Sequence, residues 1–292
     1  MSIKLENQNL IVTISEKGAE LTSLRNKETG IEYLWQGDPA FWNRQAPVLF
    51  PIVGRLKDDQ YEYKNKRYSM SQHGFARDYP FNITQQSETA VALQLSADPS
   101  TKEKYPFDFR LTITYRLENQ TLDVGYLVEN LNQQEEMYFS IGGHPGFNVP
   151  LTSETVFEDY YLNFSPKRSR TLIPLEGPYL DLENRTLAQT NTDIALKRAL
   201  FDQDALIYET KRKNTFSIQS DKTKHKVAVT LEGFPYVGIW SPPKQEAPFV
   251  CIEPWFGVAD SLDATGQLTE KLGIQHLAPA EQFNCHYEIA VD

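Results

Sequence analysis

The sequence is short of cysteine. Only Cys251 and Cys285 occur in 292 residues, and no CxxC pair exists. That excludes a disulfide-stapled scaffold, and both thiols lie in apolar or strand-like surroundings, as free thiols of a cytoplasmic protein would. Excess positive charge is also lacking. The net charge is −10 and the pI near 5.1, which argues against nucleic-acid and anionic-membrane partners, since both are met with basic surface. No apolar run approaches the length of a membrane span. The segment Ser2-Ile3-Lys4-Leu5-Glu6-Asn7 is polar, unlike a secretory signal. There is no HExxH or HxH pair, so no metal site is expected. Neither a glycine-rich phosphate loop nor a GxSxG elbow occurs, so no cofactor is expected and no serine nucleophile. What these absences leave is proton chemistry by imidazole and carboxylate.

Long helical patterns are scarce, and strand patterns run almost throughout. Ile3 and Leu5 alternate, Asn7-Gln8-Asn9 turns, and Leu10 to Ile14 returns, which reads as a hairpin. Further strands are expected over 18–24 and 31–35 and in a hairpin around Lys64-Asn65-Lys66. From Ile83 to Glu129 the period is two: Val91, Leu93 and Leu95, then Leu111 to Leu117, then Leu122 to Val128, which predicts three antiparallel strands joined by tight turns. Short helices are expected at 99–105 and 193–200, and the polar, proline-containing stretch 165–191 reads as surface loop. Strands resume at 205–208, 215–220, 226–232, 236–240, 249–253 and 286–291. The fold class is all-β, a single large antiparallel sandwich or barrel over 1–292.

Four polar groups stand beside glycine or proline where strands are expected to end: Arg55 after Gly54, His73 before Gly74, His144 between Gly143 and Pro145, and Glu253 before Pro254. Histidine titrates near neutrality and can give or take a proton there. Glu253 ends the apolar run Phe249-Val250-Cys251-Ile252 and is followed by Trp255. Partial desolvation would raise its pKa and make its carboxylate a better base. Taken singly, His144 and His73 read as turn histidines and Arg55 as a surface ion pair. Asp204 reads as a cap or turn residue, and Glu253 stands evenly between a glutamate held by backbone amides and a base.

In order and spacing, Gly18-Ala19-Glu20-Leu21, His73-Gly74-Phe75-Ala76-Arg77, Gly143-His144-Pro145 and Cys251-Ile252-Glu253-Pro254-Trp255 resemble the aldose 1-epimerase (galactose mutarotase) family, and within it the lactose-operon X protein branch. The resemblance runs nearly the whole chain. It implies a large twisted β-sandwich with a sugar cleft, and an isomerase that interconverts α and β anomers of an aldose. By that resemblance His144 protonates the ring oxygen and Glu253 takes the anomeric hydroxyl proton. Arg55 and His73 bind the sugar, and Asp204 stands where the family has a binding aspartate. Trp255, Phe147 and Trp42 are expected against the sugar's C–H face. Where the family commonly has threonine before His-Pro this chain has Gly143, which would alter a contact to a sugar hydroxyl. Two alternatives stay open. One is a 6-phosphorylated hexose as substrate, with Arg77 or Arg44 meeting the phosphate. The other is a non-catalytic sugar-binding module on the same fold.

Overall fold

The structure is a computed structural model and describes residues 2–292. Its regular structure is nearly all strand, most of it in two large antiparallel sheets. The first runs Ile194–Ala195, Tyr160–Ser165, Lys213–Ser220, Thr223–Glu232, Gln282–Val291, Thr121–Asn130, Phe109–Glu118, Ala90–Ser96, Asn82–Gln86. Its strands alternate as their sequences do. Phe109, Leu111, Ile113, Tyr115 and Leu117 are buried, and across the ladder so are Leu122, Val124, Tyr126 and Val128. Each such side chain contributes about 1.5–3 kcal/mol on leaving water.

The second sheet runs Thr186–Ala188, Arg170–Ile173, Leu206–Glu209, Tyr236–Trp240, Phe249–Phe256, Ile141–Gly143, Val48–Leu49, with Gly146–Asn148 also paired to Phe249–Phe256. Val237, Ile239, Val250 and Ile252 point into the same buried cluster as the first sheet's apolar residues. Their neighbours Phe249, Cys251 and Trp255 belong to other clusters. Period two therefore divides Phe249–Phe256 into a core face and a second face, and that second face carries Glu253. Among the described residues no helix is long and apolar enough to cross a membrane.

Several expectations need correction. Residues 31–35 form only isolated bridges, Arg25 to Glu32 and Leu34 to Phe147, rather than a strand. The helix expected at 193–200 is a two-residue strand, Ile194–Ala195, followed by one 3-10 turn, Arg198–Phe201. Sheet pairing to Tyr160–Ser165 overrides the local preference there. The helix at 99–105 shortens to Pro99–Lys102, with the Asp98 carboxylate accepting from the Thr101 N–H at 2.8 Å as its cap. A fourth, exposed edge strand, Asn82–Gln86, joins the three expected before Glu129. The stretch read as surface loop holds the short strands Arg170–Ile173, Leu175–Glu176, Tyr179–Leu180 and Thr186–Ala188.

Candidate active site

The site is built where one strand changes partners. Phe249–Phe256 pairs with Gly146–Asn148 up to Cys251, and with Ile141–Gly143 from Trp255 onward. Between those two partners the chain leaves the ladder as His144-Pro145, beside Glu253. Proline at 254 is tolerated there because its missing N–H falls at the gap. Glu253 is thus not at a strand end, as its flanking proline suggests, but in mid-strand opposite a break.

His144 Nε2 lies 3.2 Å from Glu253 Oε2, and both side chains are buried. No backbone amide satisfies this glutamate. Oε2 makes no aligned hydrogen bond to the protein, and neither does His144 Nδ1. Buried polar atoms are nearly always paired, so an unpaired carboxylate oxygen and an unpaired imidazole nitrogen on two touching side chains mark a place kept for a ligand. Burial pushes Glu253 well above the usual carboxylate range, and the charge of Asp204 adds to that. The Trp255 indole acts the other way, although its Nε1 lies outside hydrogen-bonding geometry. Burial pushes His144 down to about 3, with Arg77 adding to the effect. The two side chains thus favour being neutral together, with one proton between them.

The other candidates lie around this pair. Arg55, His73, Arg77, Asp204 and Trp255 line the same cleft of about 420 Å³, with Gln72, Trp42 and Trp240. That volume suits a small molecule. His73 has φ 66° and is followed by Gly74 at φ 72°. A Cβ on Gly74 would sit 2.3 Å from the Phe50 carbonyl oxygen, so only glycine fits. The Gly54 N–H donates to His73 Nδ1 at 3.1 Å, which places the ring proton on Nε2. The Gln72 amide lies 3.3 Å from that nitrogen. Burial keeps His73 neutral, reinforced by His144.

Arg55 grips Asp59 with two hydrogen bonds, Nε to Oδ1 at 2.8 Å and Nη2 to Oδ2 at 2.6 Å, while half exposed on the cleft wall. It is both a surface ion pair and a lining residue. Arg77 Nη2 donates to the Gln72 carbonyl at 2.6 Å. Its Nε is buried without a partner, and burial lowers its pKa to about 10. Arg44 is paired with Asp78 at 2.8 Å. Asp204 does turn the chain, at φ 74° with its carboxylate accepting from the Ala205 N–H at 2.8 Å. It also faces Glu253, and burial raises its pKa.

Trp255 needs space made for it. A Cβ on Gly238 would come within 2.5 Å of the indole, and one on Gly142 within 2.7 Å. Trp42 stacks obliquely on His144 at 4.8 Å between ring centroids, and Trp240 meets it edge-on at 5.5 Å. Phe147 departs from expectation: it is fully buried in the main core and is no part of the cleft wall. So does Gly143. A Cβ there would meet the Tyr287 hydroxyl at 2.6 Å and the Tyr126 hydroxyl at 2.9 Å, so that position faces the core and not a sugar hydroxyl.

Sequence reading missed Trp240, Gln72 and the wall formed by Leu175 and Pro178 from the supposed surface loop. Trp240 had a signal: an aromatic closing a strand before Ser241-Pro242-Pro243. Also missed was a buried ion pair, Lys271 to Asp260 at 2.8 Å. Asp260 Oδ2 accepts from the Lys57 N–H, and its own N–H donates to the Arg55 carbonyl, both at 2.9 Å. The pair clamps the Arg55 segment against Ala259 on the cleft wall.

A sequence model of the aldose 1-epimerase family matches residues 1–272. The chain belongs to the aldose 1-epimerase family. It is an isomerase of that kind, with a mutarotase-type function. Among family members it is 32% identical over 300 residues to the plasmid-encoded LacX protein of Lactococcus lactis subsp. lactis, covering 100% of this chain and 99% of that one. A galactose mutarotase related enzyme from Lactobacillus acidophilus shares 42% identity, with 100% and 97% of the two chains covered and a TM-score of 0.98. A galactose mutarotase-like protein from Lactobacillus casei shares 35% identity over 100% of both chains, with a TM-score of 0.91. These likenesses run along the chain through all four segments that carried the resemblance.

Proposed function

We propose that this epimerase interconverts the α and β anomers of an aldose, with Glu253 as base and His144 as acid. The observation that carries the reading is the buried His144–Glu253 contact at 3.2 Å, with Oε2 free to accept. Ring opening removes the proton of the C1 hydroxyl and delivers one to the ring oxygen. Glu253 takes the first and His144 gives the second. The pair begins as carboxylate and imidazolium and ends as carboxylic acid and neutral imidazole. Burial favours that second state of the two side chains. Rotation about C1–C2 and reversal of both transfers give the other anomer. Proton transfer between oxygens needs neither metal nor nucleotide.

His73 Nε2, Arg55 and Asp204 hold hydroxyls, and Trp255, Trp42 and Trp240 supply flat apolar surface to the C–H faces. A 6-phosphorylated hexose remains a second substrate reading, favoured by Arg77, whose buried Nε has no partner among the described residues. A neighbouring depression of about 560 Å³ shares Arg55, Gln72 and Arg77 with the cleft and adds Lys104. The unpaired cysteines suit a cytoplasmic setting. The test is polarimetry of fresh single anomers over a panel of aldoses and their 6-phosphates. Acceleration of at least one series is expected. Saturable sugar binding by calorimetry with no acceleration for any would instead describe a binding module.

A further inference from the structure

Cys251 takes no part in the proton transfers, yet it stands two residues before Glu253 on the same strand face. One donor atom from each of His144, Cys251 and Glu253 lies within 4.8 Å of the other two. All three residues are buried, and Glu253 Oε2 lacks an aligned hydrogen-bond partner. Imidazole nitrogen, thiolate sulfur and carboxylate oxygen are the donors that zinc takes, at about 2.0–2.3 Å. A tetrahedral ion at those lengths holds its ligand atoms about 3.3–3.8 Å apart. The 3.2 Å between His144 Nε2 and Glu253 Oε2 is close to that already. The thiol needs to approach by at most about 1–1.5 Å. The fourth position then opens into the cleft, where water or a sugar hydroxyl can sit. Arg77 and Arg44 oppose a cation from the histidine side, and Asp204 attracts one from the glutamate side.

We propose that His144, Cys251 and Glu253 form a site for a thiophilic divalent cation, with zinc as its representative, and that the bound ion switches catalysis off. The ion occupies the lone pairs that the proton transfers use. Binding releases the thiol proton and the proton shared by the pair to the buffer, with no change of oxidation state. The inhibitory half of this inference rests on the acid–base reading above, and the binding half stands without it.

Two readouts separate the halves. Cobalt(II), titrated into the wild-type protein as a spectroscopic stand-in, is expected to give a thiolate-to-metal charge-transfer band at one ion per chain. Cys251→Ser and Cys251→Ala lose the band, and Cys285→Ser keeps it. In polarimetric assays zinc inhibits the wild type, chelator restores it, and Cys251→Ser raises the half-inhibitory zinc concentration about tenfold or more. Should the serine variant misfold, the alanine variant carries the same comparison. Absence of a thiolate band, or zinc sensitivity equal in wild type and both Cys251 variants, overturns the proposal. A wild type that anomerises no sugar but shows the band would sink the acid–base reading and leave the cation site standing.

Discussion

At the scale of single residues, the proposed mechanism rests on the buried contact between His144 and Glu253. Glu253→Gln keeps shape and hydrogen bonding but cannot take a proton, so kcat should fall by about 10²–10⁴ with KM little changed. His144→Asn should fall similarly. Polarimetry under saturating sugar reads both, and near-wild-type turnover in Glu253→Gln would refute the assigned base. The pair also sets a pH dependence opposite to the ordinary one. In the proposed mechanism the active state holds one proton. It gains a second only as pH falls through the depressed His144 pKa, and loses the first only as pH rises through the raised Glu253 pKa. A broad plateau of kcat/KM across neutrality is expected, wider than an unperturbed carboxylate–imidazole pair would give. A narrow bell between pH about 4.3 and about 6.5 would contradict it. Stability follows by linkage. Above the unfolded carboxyl pKa the native state binds more protons at Glu253 than the unfolded chain does, so this group makes stability fall as pH rises. Glu253→Gln should therefore gain on wild type as pH rises above about 5, by at most about 1.4 kcal/mol per pH unit, in urea melts. At this scale glycine or proline beside Glu253, His144, His73 and Arg55 singled them out, and all four line one cleft, but their roles came only from the family resemblance. Cys251 was not legible, because a thiol in a strand looks like core until the face it lies on is known.

At the scale of elements, the strand Phe249–Phe256 organises the site, and its neighbours exist in part to give it room. Gly238 is the clearest case, since a Cβ there would strike the Trp255 ring at 2.5 Å. Gly238→Ala should push the indole into the cleft, raising KM more than it lowers kcat and shifting tryptophan emission. Unchanged KM would show that Trp255 does not contact sugar. The segment carrying Arg55 is held from behind by Lys271 and Asp260, whose side chains are only 2% and 5% exposed. Lys271→Met leaves that carboxylate buried without its partner and should cost about 3–5 kcal/mol in urea unfolding. A loss below about 1 kcal/mol would mean the clamp is slack. Period-two strands were readable from sequence because each one's faces differ, as in Phe109–Glu118. The helix expected at 193–200 failed because its outcome rests on pairing with Tyr160–Ser165, far away in sequence. Lys271 and Asp260 were invisible for a related reason: charged residues in a polar loop carry no sign that they will be buried.

At the scale of the whole molecule, the last strand decides how the parts cohere. Gln282–Val291 lies in the middle of the nine-stranded sheet, between Thr121–Asn130 and Thr223–Glu232. Strands from before residue 131 and strands from after residue 159 meet in that sheet only through it. Neither half can complete its sheet edge alone, so folding should be one cooperative event. The four tryptophans make this measurable. Trp42, Trp240 and Trp255 line the cleft, and Trp35 stacks on Phe249 at 4.6 Å and donates its indole N–H to the Trp42 carbonyl. Tryptophan emission thus reports on the cleft, while far-ultraviolet circular dichroism reports on both sheets. In urea the two signals should trace one transition with one midpoint. An emission change that precedes the loss of strand signal would mean that the cleft sheet opens as a separate unit. Sugar that binds the native cleft alone should move both transitions together, by about 2.7 kcal/mol at a hundred times its Kd. A sugar that shifts the emission midpoint without the other would locate a second cooperative boundary between the cleft and the nine-stranded sheet.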